Sequence, residues 1–378
     1  MKRTIVALLV LCVCFAPAAW GQKYTCPATV NWTEFHTIDM QRWNPCEKVL
    51  GIDNVGGLQV KWSYPIGRTD GSPMVAYGVV YIGTNSGRLY AFKASTGKKL
   101  WSYQTASGTN HSSPAIANGV VYFGSTDGLV YALKAGSGEK VWSYATAANV
   151  ESSPTVVHGV VYIGSDDGSV YALDASSGAK LWSYATGGAV NSIPAVMKGV
   201  VYVGSSDNNL YALDATTGAK LWNYTTGGWA NSPAIAKDVV YFSSNDNNLY
   251  ALDASTGSKL WSYNIGGFYP QSSSPAVANG VVYIGSGDGN VYAVNAHTGV
   301  GLWSYETGNN VGDSPAVANG VVYVATYNWV FYALHAKTGV LLWSDWLSGG
   351  AISSSPAVAN GEVYVASTNG NVYAFGLP

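Results

Sequence analysis

Eight tryptophans constrain what this chain can fold into. Trp62, Trp101, Trp142, Trp182, Trp222, Trp261, Trp303 and Trp343 stand 39 to 42 residues apart. A proline opens each unit on the same beat, at Pro73, Pro114, Pro154, Pro194, Pro233, Pro275, Pro315 and Pro356. Four short apolar runs fill each period, without the 3.6-residue rhythm of a helical solenoid. Such a unit cannot bury its apolar face alone and must stack on its neighbours. The period predicts an all-β, eight-bladed β-propeller of four-stranded antiparallel blades.

Turn chemistry divides one unit. In 153–187 the expected strands are 154–157, 160–164, 170–174 and 180–186. Asp166-Asp167-Gly168 and Ser176-Ser177-Gly178 form two of the turns, and glycine supplies positive φ in both. Asn-Gly serves the first turn elsewhere, as at Asn118-Gly119, Asn279-Gly280, Asn319-Gly320 and Asn360-Gly361. Ser165-Asp166-Asp167-Gly168 and Gly287-Asp288-Gly289 superficially resemble metal loops. They lack the further ligands of a calcium loop and read as turns, so no metal site is expected.

The two ends of the repeat complement each other. Residues 58–64 read L-Q-V-K-W-S-Y, a fourth strand placed before any first strand. After Trp343 the chain carries three strand patterns and stops at Pro378 without a further tryptophan strand. The N-terminal strand is expected to complete the C-terminal blade and remove an open sheet edge.

Ahead of the repeats, Met1-Lys2-Arg3, an apolar run to Phe15 and small residues to Gly21 form a signal-peptide pattern over 1–21. Cys12 and Cys14 follow large residues and make poor lipid-attachment sites, so a lipoprotein is not expected. The product should be secreted or periplasmic. No other stretch is long and apolar enough to span a bilayer. Without Lys2 and Arg3 the acidic side chains exceed the basic ones by four, and no basic cluster exists for nucleic acid. Cys26 and Cys46 remain, bracketing a non-repeating lead-in (22–57) that reads as a cap against the propeller (58–378). A disulfide there would close a loop of about 20 residues and contribute roughly 3 kcal/mol; two free thiols are the alternative.

The pattern A-x-D-x-x-T-G-x-x-x-W is met in full by Ala212, Asp214, Thr217, Gly218 and Trp222, and by Ala251, Asp253, Thr256, Gly257 and Trp261. Lys93, Lys134, Asn295 and His335 replace the aspartate elsewhere. This resembles the tryptophan-docking motif of the pyrroloquinoline quinone (PQQ) repeat propellers, a family that includes quinoprotein dehydrogenases and the outer-membrane assembly protein BamB. The resemblance implies that the eight tryptophans join blades structurally. A buried tryptophan removes about 150–250 Å² from water, roughly 4–6 kcal/mol gross. Enzymes of that family would bring an adjacent cysteine pair, a calcium-binding set and an aspartate base. The mature chain has no adjacent cysteines, and its five histidines are scattered. No catalytic residue is assigned.

The loops leading into each repeat proline are expected to ring one mouth of the channel. Three positions before the prolines stand Asp70, His111, Glu151, Asn191, Ala230, Ser272, Gly312 and Ser353. Arg68, Trp229, Asn231, Phe268, Tyr269 and Asp313 are nearby departures from the repeat. Solvated loop side chains are one reading of this rim. A ligand or partner surface is the other, assigned to Asp70, His111, Glu151, Asn191, Trp229, Asn231, Tyr269 and Asp313. The expected function is a monomeric, exported, non-enzymatic scaffold for a protein or peptide partner, without cofactor. The alternatives are a small quinoprotein oxidoreductase using PQQ with calcium, and a carbohydrate-binding propeller.

Overall fold

The structure is a computed structural model that describes residues 26, 31–35, 40–109, 111–267, 273–347, 350, 352 and 354–378. Eight antiparallel sheets follow one another around a central axis. In the third blade the strands are Thr155–Val157, Val160–Gly164, Ser169–Asp174 and Lys180–Ala185, ordered from axis to rim. These lie within one residue of the expected bounds. The first turn is tight because both central residues take positive φ, as at Asn118 (50°) and Gly119 (77°). The signal-peptide reading falls on 1–21, outside the described residues.

The ring closes as three strands plus one. Gln59–Pro65 pairs antiparallel with Asn371–Gly376, beside Glu362–Ala366 and Ala357–Ala359. The seventh blade departs from four strands. Trp43–Asn44 adds a fifth, parallel to Ala316–Ala318 on the axial side.

That fifth strand is part of a wider pattern. A propeller leaves the inner edge of each first strand with unpaired backbone groups, which are costly when buried. The lead-in supplies partners around the channel. Trp32 exchanges two backbone bonds with Val75, and the carbonyls of Thr33, Gln41 and Arg42 accept from the N–H groups of Ile116, Val277 and Val317. Glu34 Oε2 accepts from Val156 N, and Asn44 Nδ2 donates to Val358 O. Six of the eight blades are joined to the lead-in in this way. Cys26 and Cys46 form a disulfide, with Cα atoms 5.4 Å apart.

Between blades, each docking tryptophan does two things. Trp182 Nε1 donates to Ala215 O of the next blade at 2.9 Å, and its ring lies on Gly218. Trp62, Trp101, Trp142, Trp222, Trp261 and Trp303 repeat the bond to Ala94, Ala135, Ala175, Ala254, Ala296 and Ala336. A tyrosine hydroxyl often joins the same carbonyl, as Tyr162 does at Ala215. Trp343 differs from the docking expectation. It meets Phe331 and Phe375 edge-on.

The motif's aspartate organises that turn. Asp174 Oδ1 accepts from the backbone and hydroxyl groups of Ser176 and Ser177, and these bonds hold its pKa down at about 2. Asn295 Oδ1 and His335 Nδ1 accept the equivalent backbone bonds, so those replacements keep the function. Lys134 cannot accept and instead pairs with Glu139 at 2.7 Å.

Gly218 shows how tight the docking is. Its φ is +73°, and a Cβ there would lie 2.6 Å from Trp182 Cε3. Gly218→Ala is expected to cost about 2–3 kcal/mol, from ring displacement plus backbone strain. Gly119→Ala meets open space and suffers only the strain of its φ of +77°. Thermal melts of the two variants check this, and equal losses would contradict the docking geometry.

Candidate functional site

Seven of the eight residues just before the repeat prolines are serine, with Ile193 the exception. They form a girdle. Ser72 N donates to Ser113 Oγ (2.9 Å) and Ser113 N to Ser153 Oγ (2.8 Å). Further round, Ser274 N donates to Ser314 Oγ, Ser314 N to Ser355 Oγ, and Ser355 N to Ser72 Oγ. Ile193 N donates to Ser232 Oγ, but Ile193 brings no hydroxyl of its own to the girdle. Each bond fixes the start of one blade's inner strand against the next and so fixes the loop above it.

Above the girdle opens a cavity of about 490 Å³. Asp70, His111, Glu151, Asn191, Trp229, Asn231 and Asp313 all line it. So do Ala230 and Gly312, so the eightfold loop position converges on one mouth wherever it is described. Tyr269, Phe268, Ser272 and Ser353 lie outside the described residues. Trp229 is 56% exposed, whereas Asn231 is held by Ser243 Oγ at 3.1 Å.

Phe35 also lines the cavity, and behind it stands a residue that sequence reasoning missed. Arg42 is fully buried, with its guanidinium 4.1 Å from the Phe35 ring centre. It donates to the carbonyls of Phe35, Pro315, Ser314 and Pro356. Burial lowers its pKa to about 9, opposed by the charge of Asp313, so it stays protonated at neutral pH. A lone arginine between aromatics in a cysteine-bracketed lead-in was the available signal.

The mouth is acidic on one side. Asp70 is held by Asn85 Nδ2 (2.7 Å) and lies 3.8 Å from Arg68. Asp313 is partly exposed, but its Oδ2 is buried and has no hydrogen-bond partner. Burial, reinforced by Asp70 and opposed by Arg42, pushes its pKa up to about 8. Asp166 also has a buried, unpartnered oxygen, Oδ1. Burial first, then Glu151 and Asp167, raise its pKa, and His111 lowers it. The neighbouring Asp167 is a turn residue. Its oxygens accept from Ser169 N, Tyr171 Oη and Ala147 N.

A second missed feature sits on the seventh blade. Tyr327 lines the cavity and is exposed; beyond it, exposed Trp329 and Trp346 stack with ring centres 6.0 Å apart. Trp329 holds φ +73° in a turn where other blades place Gly168, Asn208 or Asn247. A bulky residue in that conformation is strained. An aromatic replacing turn glycine was legible in the sequence.

Raised carboxyl pKa values carry a stability sign. Burial also lifts Glu34 to about 7 against one bond from Val156. For Asp313 and Glu34 the folded state favours the protonated form. That contribution is full below their ordinary values of 3.8 and 4.5 and is lost as pH rises through about 7 and 8. The melting temperature should fall between pH 5 and 8.5, with a flatter profile in the Asp313→Asn, Glu34→Gln double variant. An unchanged profile in that variant would contradict the assignment.

Residues 47–164, 126–272 and 266–377 each match the family model described as outer membrane protein assembly factor BamB. The chain belongs to this family. BamB from Moraxella catarrhalis superposes with a TM-score of 0.73 at 22% identity, over 85% of this chain and all of that one. Quinohemoprotein alcohol dehydrogenase ADHIIG from Pseudomonas putida HK5 gives a TM-score of 0.79 at 18% identity, over 92% of this chain and 80% of that one. At these identities both share the fold. The dehydrogenase subunit of the quinone-dependent alcohol dehydrogenase of Gluconobacter oxydans (strain 621H) is 31% identical over 100 residues. That match covers 23% of this chain and only 13% of the enzyme.

PQQ with calcium is the group that the enzymes of this fold imply. Among the described residues no three or more His, Cys, Asp or Glu side chains converge on a metal position. The disulfide couples Cys26 to Cys46 rather than adjacent cysteines. Neither observation assigns the group to this chain, and it stays with the alternative reading below. Among them, no helix is long and apolar enough to cross a membrane.

Proposed function

We propose that this protein is an exported propeller scaffold, with a leader over 1–21 and a cap over 22–57, that holds a ligand or protein partner at the acidic mouth of residues 58–378. One observation carries the reading. Seven residues that depart from an otherwise uniform repeat, Asp70, His111, Glu151, Asn191, Trp229, Asn231 and Asp313, line a single cavity with Phe35, which Arg42 backs. The family description and the disulfide, a bond of oxidising compartments, support a cell-envelope setting. Exposed Trp229 and Tyr327 offer rigid contact surface to a partner, and the same aromatics keep a carbohydrate among the candidate ligands.

The second reading is a small PQQ-dependent oxidoreductase, favoured by the local identity to the Gluconobacter enzyme. Calorimetric titration with PQQ in calcium buffer, with dye-linked alcohol and sugar oxidation on the same sample, separates the two. The scaffold reading expects neither binding nor turnover. Micromolar binding with turnover would overturn it and make Asp70, Glu151 and Asp313 the first residues to change.

A further inference from the structure

We propose that the mouth cavity is a binding site for an organic cation, an ammonium group carried on a hydrocarbon chain; this rests on the mouth being the binding face. The cavity presents Asp70, Glu151 and Asp313, and among the described residues no lysine or arginine lines it. Arg42 lies behind Phe35 with its donors committed to four backbone carbonyls, and Arg68 lies beside Asp70. Of the three carboxylates, Asp313 has a buried oxygen, Oδ2, with no hydrogen-bond partner. A buried acceptor without a donor is costly, and a ligand bringing N–H groups removes the cost.

The remaining walls select among cations. Trp229, Tyr327, Ile193 and Phe35 give the cavity aromatic and apolar surface. Aromatic faces attract cations, and apolar walls favour a hydrocarbon body over a hydrated metal ion. The described carboxylates do not converge as a metal site does.

Asp313 also supplies a readout. Facing Asp70 and Arg42, and pushed up to about 8, it is protonated in the empty cavity at pH 7. When an ammonium group binds, the Asp313 carboxyl gives its proton to solvent and the carboxylate accepts the ligand's N–H. Binding therefore releases protons and strengthens as pH rises towards 8.

The test is calorimetric titration of the full chain, leader removed, with cadaverine, its neutral counterpart 1,5-pentanediol, and a glycine-rich peptide carrying one lysine. Two buffers of different ionisation enthalpy at pH 7 report the protons released. Cadaverine is expected to bind with a Kd of about 1 mM or tighter, releasing protons, while the diol shows no binding. Cadaverine binding tighter than the peptide marks a free amine as the source; the reverse order marks a partner's lysine. Asp313→Asn should weaken the amine about tenfold and abolish proton release, whereas Trp229→Ala should weaken it several-fold and keep the release. Should Asp313→Asn not fold, Asp70→Asn must weaken binding instead. Equal binding of diol and amine, no amine binding, or unchanged affinity in the folded aspartate variant overturns the proposal. If amines fail while a partner still crosslinks from the mouth, the cation chemistry falls and the scaffold stands.

Discussion

Replacing Gln59–Pro65 with glycine and serine of equal length should lower the melting temperature by about 10 °C or more, with aggregation at the exposed edge. Four structural consequences combine in that change. The strand holds six register pairs with Asn371–Gly376, so its loss strips the outer edge of the last blade. Trp62 leaves the Gly97 and Ala94 site, removing one blade-to-blade dock and a ring worth several kcal/mol. The first and last blades then lose the paired strand that anchors the chain entering the first blade to the last one. The Ser355-to-Ser72 bond spans 283 residues of sequence and survives only while those blades are held together. Length is conserved, so the lead-in keeps its reach into the channel. Calorimetry and light scattering on the purified variant check the outcome; a wild-type melting temperature and a monomer would show that the ring does not depend on its clasp.

Arg42→Met should cost about 3–5 kcal/mol, since removing a buried, fully bonded cation leaves its partners behind in the interior. Those partners are the carbonyls of Phe35, Ser314, Pro315 and Pro356, drawn from the lead-in and the last two blades. Methionine refills most of the volume, so the loss isolates the hydrogen bonds and the stacking on Phe35. Arg42→Lys should fall between, because an ammonium keeps the charge but cannot reproduce the planar fork. Denaturant melts measure both. A methionine variant as stable as the parent would mean that the backbone bonds, the packing of Trp32 and the disulfide hold the cap without the guanidinium.

These two predictions differ in how far ahead they were legible. The clasp follows from L-Q-V-K-W-S-Y standing before the first repeat, a local pattern whose consequence is topological. The lone arginine of the lead-in was visible but its role was not, since its acceptors lie 7, 272, 273 and 314 residues away and meet only when the ring closes. The serine girdle is intermediate. The recurring serine before each proline is plain in the sequence, but its acceptor role appears only once neighbouring blades are about 40 residues apart in sequence and adjacent in space. Rim residues were readable because a uniform repeat makes departures visible. Asp70, His111, Glu151, Asn191, Trp229, Asn231 and Asp313 share one cavity, while Tyr269 lies outside the described residues. What the pattern could not separate was environment. Asp167 and Asp313 are both loop aspartates; one is saturated by a turn, and the other keeps a buried oxygen without a donor.

Site-specific photo-crosslinking in the native envelope addresses the central claim most directly. The probe is placed at Asn191, exposed on the mouth, and separately at Leu221, 52% exposed on an outer strand. The account predicts a discrete crosslinked product from Asn191 that is lost on Trp229→Ala, and none from Leu221. A product from Leu221 alone, or one from Asn191 indifferent to Trp229, would place the working surface of this propeller elsewhere.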